Sequence, residues 1–118
     1  MKTVLVVEDE YDLLHTICAS LELGGYRPVP AGNGRAALEA IENSFPDLMI
    51  TDVMMPYMSG YELVEAVRKL PQGEKLPVVL MSSMQPDLHP EGSWNALLPK
   101  PFSLEALLDK MEELIGGA

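Results

Sequence analysis

With 118 residues, the chain has the length of one domain, and we expect residues 1–118 to share a single core. Its 47% hydrophobic and 22% charged residues exclude a disordered polar chain, and its net charge of −10 argues against direct binding of nucleic acid. The lone cysteine, Cys18, excludes an internal disulfide, and the N-terminal apolar run is too short for a signal peptide or for membrane insertion, so we expect a cytoplasmic protein.

The hydrophobic pattern predicts strands and helices that alternate along the chain. In chain order they are a strand at residues 3–7, a helix at 12–23, a strand at 26–29, a helix at 34–43, a strand at 48–50, a helix at 60–70, a strand at 78–81, a strand at 96–98 and a helix at 104–115. Most of the strands are apolar without alternation, which is typical of parallel strands covered on both faces. Ser103 is the expected N-cap of the last helix.

The order of these elements indicates an α/β fold with right-handed crossovers and a doubly wound, five-stranded parallel sheet. Pro28 removes a ladder donor from the second strand and places that strand at a sheet edge. An edge position fits the flavodoxin-like strand order 2-1-3-4-5, whose crevice lies between the first and third strands. Between residues 83 and 94, Pro86, Pro90 and Gly92 disfavour a regular helix, so we expect the fourth helix to be short or missing.

Polar side chains follow the predicted strands at their carboxyl ends, which meet at one edge of a parallel sheet. They are Glu8 and Asp9 after the first strand, Asp52 after the third, Ser82 after the fourth and Lys100 after the fifth. Taken alone, Asp52 would be interpreted as a helix cap, and Glu8 and Asp9 as solvated charges at a helix start. If they converge, the three carboxylates repel one another unless a cation neutralises them, and an oxygen-only ligand set favours Mg²⁺.

A metal ion, a lysine, a hydroxyl and a carboxylate together suit phosphoryl transfer, which depends on positioning and on charge neutralisation. Asp52 is the expected nucleophile, and its attack on phosphorus would leave an acyl phosphate. Lys100 would hold phosphoryl oxygens. The hydroxyl of Ser82 would donate to one of these oxygens only after transfer, which would draw the loop after the fourth strand toward the site.

Four short motifs each follow one of the predicted strands. Val7-Glu8-Asp9-Glu10 carries an acidic doublet after the first strand, and Asp52-Val-Met-Met-Pro-Tyr-Met-Ser-Gly60 follows the third. Ser82 follows the fourth strand, and Lys100-Pro101-Phe102 closes the fifth. By this set of motifs, essentially the whole chain resembles a response-regulator receiver domain of two-component signalling. Ser82 then stands at the position of the threonine or serine switch residue of that family.

The resemblance implies a function and a ligand set. Asp52 would accept a phosphoryl group from a sensor histidine kinase or a histidine phosphotransfer protein, and the chain would release it again without acting as a turnover enzyme. Asp9, Asp52 and the backbone carbonyl of Met54 would ligate Mg²⁺, with Glu8 acting mainly through water. The Lys100–Pro101 peptide bond is expected to be cis.

Two features depart from the family pattern. Leu97 occupies the position where the family usually carries the tyrosine or phenylalanine of the switch, and the segment 83–94 is about one helical turn short. Trp94 is expected to be partly buried, with an exposed anchor for a partner as the alternative. His15 and His89 are expected on the surface or on helices, without partners that would indicate a ligand role.

The expected function is therefore that of a stand-alone phosphoacceptor that alters its binding to an unknown downstream protein, and a homodimer stays open. One alternative is a pseudo-receiver, a scaffold that binds partners without phosphorylation. Another is a Mg²⁺-dependent phosphatase that turns over through Asp52. The methionine at position 54 disfavours the phosphatase, because no general acid stands there.

Overall fold

The computed structural model describes residues 1–85 and 88–116. The elements in chain order are β1 Thr3–Val7, α1 Tyr11–Leu23, β2 Arg27–Ala31, α2 Gly34–Asn43, β3 Leu48–Asp52, α3 Gly60–Arg68, a 3-10 turn Gly73–Lys75, β4 Val78–Ser82, β5 Ala96–Pro99 and α4 Leu104–Ile115. The predicted alternation of strands and helices is confirmed. None of these helices combines the length and the apolar character that crossing a membrane requires.

The five strands form one parallel sheet in the order β2-β1-β3-β4-β5, which confirms the predicted topology. β2 lies at an edge, as Pro28 predicts. The predicted bounds of this strand, 26–29, were wrong at both ends. Tyr26 lies before the strand, where its hydroxyl donates to the carbonyl of Gly116 at 3.1 Å. The strand continues to Ala31, because an edge strand tolerates proline on its unpaired side.

Alternate strand residues face opposite sides of the sheet, and helices cover both sides. On one side, α1 and α4 pack over a core that includes Val4, Val6, Ile50, Met81 and Leu107. On the other side, α2 and α3 pack over a core that includes Leu5, Val7, Met49, Leu63 and Leu80. Ser103 caps α4 as predicted, by accepting the amide of Ala106 at 3.1 Å. Burial on both sides holds the strand ends rigidly, which matters for the side chains they carry.

Strand pairing extends to the residues of the expected site. β3 includes Asp52, which is paired with Met81 of β4, and β4 includes Ser82, which is paired with Pro99 of β5. The predicted strands stopped short of these residues. Lys100 follows β5 directly. The sheet therefore holds the backbone of the predicted site residues more closely than loops would.

α3 is shorter than the helix predicted at residues 60–70, and the described residues between β4 and β5 form no helix comparable to it. α3 ends at Arg68 instead of residue 70, because the amides of Lys69 and Leu70 bond only three residues back. Between β4 and β5, the described residues 83–85 and 88–95 contain no α-helix, as the sequence predicts. Pro86, one of the residues expected to break a helix there, lies outside the described residues.

Candidate functional site

The predicted site residues meet at the carboxyl edge of the sheet. Asp52 and Ser82 are the last residues of β3 and β4, Glu8 and Asp9 follow β1, and Lys100 follows β5. Parallel strands with right-handed crossovers bring these ends to one edge, where open α/β sheets bind their ligands.

Lys100 joins two of the carboxylates. Its Nζ lies 2.9 Å from Oε1 of Glu8 and 3.3 Å from Oδ1 of Asp52. Glu8 and Asp52 are only 2% and 7% exposed, and buried carboxylates require a charge partner or hydrogen bonds. The second oxygen of Glu8 accepts the amide of Glu10 at 3.0 Å. Glu8 is therefore bonded through both oxygens.

These contacts decide against the simpler interpretations of the acidic residues. Glu8 is buried and bonded to Lys100, so it is not a solvated charge at a helix start. Asp52 is not the cap of α3, because Ser59 has that role and accepts the amide of Glu62 at 3.2 Å in a capping box. Asp9 is exposed and remains accessible from solvent.

The local environment raises the pKa of Glu8 and of Lys100. Burial raises the pKa of the Glu8 carboxyl, and the charge of Asp52 acts in the same direction, although bonds from the Glu10 amide and Lys100 oppose them. For Lys100, burial alone lowers the pKa, but the hydrogen bond to Glu8 and the charges of Asp52 and Glu8 outweigh burial and raise it. Lys100 thus keeps its positive charge beside the carboxylates at neutral pH.

The carboxylates of Glu8, Asp9 and Asp52 form a cluster that fits a hard cation. Each of the three contributes one oxygen to a set whose members all lie within 4.8 Å of one another. Oxygen-only donors at this spacing suit Mg²⁺, which uses few carboxylates and keeps several waters. Lys100 supplies one positive charge to this cluster, which leaves negative charge for a cation to neutralise.

Ser82 is hydrogen-bonded both to the loop that follows β4 and to Lys100 of the site. It is 2% exposed; its Oγ accepts the amide of Met84 at 2.9 Å, and its carbonyl accepts the amide of Lys100 at 2.8 Å. A hydroxyl that accepts a hydrogen bond keeps its own proton to donate. The Lys100–Pro101 bond is cis, as the resemblance implies.

The loop between β3 and α3 carries Met54, whose carbonyl the resemblance implies as a ligand. Met54 is exposed, and its thioether is a poor ligand for a hard cation, so the backbone carbonyl is the group of this residue that suits the site. The loop closes at Gly60, whose amide donates to the carbonyl of Val53 at 2.8 Å. A Cβ at position 60 would overlap the carbonyl oxygen of Asp52. The first turn of α3 is thus packed directly against the backbone of Asp52.

Gly60→Ala should lower the free energy of unfolding by about 2 kcal/mol, because the added methyl group meets backbone that cannot move aside. Denaturant unfolding followed by circular dichroism measures this loss. Gly34→Ala is the matched control, because Gly34 also opens a helix but its added Cβ would meet the flexible side chain of Met58. We expect that variant to stay within about 1 kcal/mol of the parent. Equal losses in the two variants would contradict the packing argument.

The structure adds contacts that the sequence pattern did not indicate. His89, expected on the surface or on a helix without partners that would indicate a ligand role, is half-buried, and its Nδ1 shares a hydrogen bond with the hydroxyl of Tyr61. Trp94 is half-buried and also packs against Tyr61, with ring centroids 5.5 Å apart. Leu97 is half-buried on the α2/α3 side of the sheet. The periodicity of α3 identified Tyr61 only as a helix residue, and residues 88–95 have no periodicity, so no sequence pattern indicated that these side chains would meet.

Comparison with known sequences identifies the family. Residues 4–112 match the family described as response regulator receiver domain. The response regulator MprA of Mycolicibacterium vanbaalenii is 34% identical over 116 residues, which cover 95% of this chain and 49% of that protein. MprA of Mycobacterium avium is 33% identical, with 95% and 50% covered. The chain thus spans about half the length of the curated relatives it matches.

Comparison with solved structures points to the same family. The chemotaxis response regulator CheY4 of Vibrio cholerae has a TM-score of 0.93 and 32% identity, with 98% of this chain and 99% of that chain covered. The receiver domain of the sensor histidine kinase PA1611 of Pseudomonas aeruginosa, crystallised with a magnesium ion coordinated in its active site cleft, has a TM-score of 0.90 and 26% identity, with 98% of each chain covered. The chain belongs to the response regulator receiver domains, the signalling domains of two-component systems.

Proposed function

We propose that this chain accepts a phosphoryl group on Asp52 from a phosphohistidine of a sensor histidine kinase or a histidine phosphotransfer protein. The reaction depends on Mg²⁺, and the product binds a downstream partner differently. One observation carries the proposal: Oδ1 of Asp52 lies 3.3 Å from the Lys100 ammonium, inside a cluster of carboxylates within 4.8 Å of one another. A nucleophile, a fixed positive charge and a cation ligand set are thereby assembled at one point.

The chemistry follows from this arrangement. A carboxylate oxygen of Asp52 forms a bond to phosphorus while the P–N bond to the donor histidine breaks. The electron pair of the broken bond stays on the imidazole, which takes a proton from water. Lys100 stands close enough to transfer its contact from Asp52 to a phosphoryl oxygen. The hydroxyl of Ser82 donates to another phosphoryl oxygen once the group is in place.

The acidic cluster supports a role for Mg²⁺. Asp9, Asp52 and the Met54 carbonyl would hold the ion, which supplies positive charge to the phosphoryl oxygens when bound. Both oxygens of Glu8 already have partners in Lys100 and the Glu10 amide, which supports an indirect role through water. The similar receiver domain of PA1611, with magnesium in its active site cleft, supports the same choice of ion.

A receiver differs from a turnover phosphatase in what protonates a leaving group. Residue 54, two positions after the nucleophile, is a methionine with an exposed side chain, so it offers no general acid to an ester substrate. The acyl phosphate on Asp52 is instead expected to be hydrolysed by water in the same site, which resets the signal. The chain therefore acts as a signalling acceptor that phosphorylates and dephosphorylates itself.

Acetyl phosphate, a small phosphodonor, tests the proposal without a cognate kinase. With Mg²⁺ present, we expect intact mass spectrometry to find one phosphoryl group on the chain, and a chelator should prevent its incorporation. Without a cation, the negative charges of the carboxylates repel the negative phosphoryl group, so we expect no incorporation in the chelator. A chain that stays unlabelled with acetyl phosphate and Mg²⁺ would instead be a pseudo-receiver. Labelling that continues in the presence of the chelator would contradict the proposed role of Mg²⁺.

A further inference from the structure

An aromatic cluster, formed by Tyr61, His89 and Trp94, lies on the α2/α3 side of the sheet. The ring of Tyr61 meets His89 edge-on with centroids 5.9 Å apart, and lies 5.5 Å from the ring of Trp94. The Tyr61 hydroxyl also shares a hydrogen bond with Nδ1 of His89. These residues link α3 to the chain before β5, where the described residues 88–95 contain no α-helix.

Gly60 connects this cluster to the phosphoacceptor. Its amide donates to the Val53 carbonyl at 2.8 Å, and it packs so closely on the Asp52 carbonyl that a Cβ would overlap it. Tyr61 is the next residue, inside a first turn that the Ser59 capping box holds together. A displacement of residues 52–53 would therefore reach the ring of Tyr61 through these backbone contacts.

The far end of the segment is held in place by Arg68. Its guanidinium donates to the carbonyls of Gly73 at 2.7 Å and Leu76 at 2.6 Å, and also to the carbonyl of Ser93. The side chain of Asn95 accepts the amide that opens β4 at 2.8 Å. The chain on both sides of Trp94 is thus anchored to α3 and β4, so a rearrangement is confined to the aromatic side chains and to the residues before position 93.

The cluster itself has room to rearrange. A cavity of about 330 Å³, lined by Tyr61, Val64, Pro90 and Trp94 among others, opens beside the rings. Nε2 of His89 is buried without a hydrogen-bond partner among the described residues. An unsatisfied buried polar atom favours a state in which it gains a partner or water. Leu97 is aliphatic and only half-buried, so β5 carries no aromatic ring that could move instead.

We propose that the aromatic cluster is the moving part of the phosphorylation switch in this chain. Phosphorylation of Asp52 shifts the first turn of α3, separates Tyr61 from His89 and repacks Trp94, which changes the surface between α3 and residues 88–94. The inference rests on the proposed function, because it requires a phosphoryl group on Asp52. The force comes from residues 52–54, which bind the phosphoryl group and the expected ion, and to which Gly60 is bonded.

Trp94 is the only tryptophan in the chain, so its fluorescence reports on the cluster alone. Acetyl phosphate with Mg²⁺ should change the Trp94 emission in proportion to the fraction of chains labelled, as measured by intact mass on the same sample. Asp52→Asn should show neither label nor emission change. Mg²⁺ added to the parent without acetyl phosphate should leave the emission unchanged, which separates phosphorylation from binding of Mg²⁺.

Tyr61→Phe tests the connection through the cluster. The variant keeps the ring against Trp94 but loses the hydrogen bond to His89, so we expect wild-type labelling with loss of most of the emission change. Tyr26→Phe is the matched control, since it also removes a phenol hydrogen bond, to Gly116 at 3.1 Å, on the other side of the sheet. That variant should label and respond like the parent.

The outcomes separate the inference from the function it rests on. Full labelling of the parent with unchanged Trp94 emission would overturn the inference and leave the phosphoacceptor function intact. An equal emission change in Tyr61→Phe and the parent would also overturn it. Absence of label on the parent would overturn the proposed function, and the inference with it.

Discussion

Asp52→Asn should carry no phosphoryl group after incubation with acetyl phosphate and Mg²⁺. The substitution keeps the size of a side chain that is only 7% exposed, so the fold should be retained. It replaces the negatively charged nucleophile by a neutral amide, which cannot form an acyl phosphate. It also removes the charge that Lys100 contacts at 3.3 Å. Intact mass spectrometry would measure the loss, and circular dichroism would establish that the variant is folded.

Leu97→Tyr is the matched control for this loss. Leu97 packs on the α2/α3 side of the sheet. Its replacement by tyrosine restores the residue type that the family usually has at this position. Because none of the carboxylates, the lysine or the hydroxyl is changed, this variant should be labelled like the parent. Equal labelling of Asp52→Asn and the parent would mean that another residue accepts the phosphoryl group, and the site assignment would then be wrong.

The site could be predicted from the sequence because it depends on topology more than on detailed packing. Apolar runs mark the strands locally, and the prolines of β2 place that strand at an edge. Once the sheet is parallel, the residues after each strand must meet at one edge. Glu8, Asp52, Ser82 and Lys100 therefore converge although the chain separates the first from the last by 92 residues.

The contacts that could not be predicted depend on side-chain packing. Nothing in the motif indicated that Glu8 would bond to Lys100 at 2.9 Å while Asp9 stays exposed, because both residues follow the same strand. His89 and Tyr61 are 28 residues apart and lie in segments with different periodicity. They meet where the described residues 88–95 contain no α-helix. The departure from the family pattern was visible in the sequence, but the contacts that replace it were not.

Lys100→Met should slow labelling by acetyl phosphate about 100-fold, because a positive charge aimed at the transferring group is lost. Methionine keeps much of the length of the side chain, so the loss is one of charge. The same change leaves Glu8, which is 2% exposed, beside Asp52 without a counter-charge. Breaking a buried pair in this way costs about 3 kcal/mol, so the free energy of unfolding should fall by a similar amount. Labelling reactions quenched at successive times measure the rate, and denaturant unfolding measures the free energy of unfolding.

Lys110→Met separates the effect of this site from that of removing any lysine. Lys110 pairs with Glu113 at 3.4 Å on the surface of α4, where the glutamate side chain is 66% exposed. Such a pair contributes less than about 1 kcal/mol, and labelling should be unchanged because the pair lies outside the carboxylate cluster. If Lys100→Met were labelled at the rate of the parent, the ammonium would have no part in the transfer. Its contacts with Glu8 and Asp52 would then serve only to stabilise buried charge.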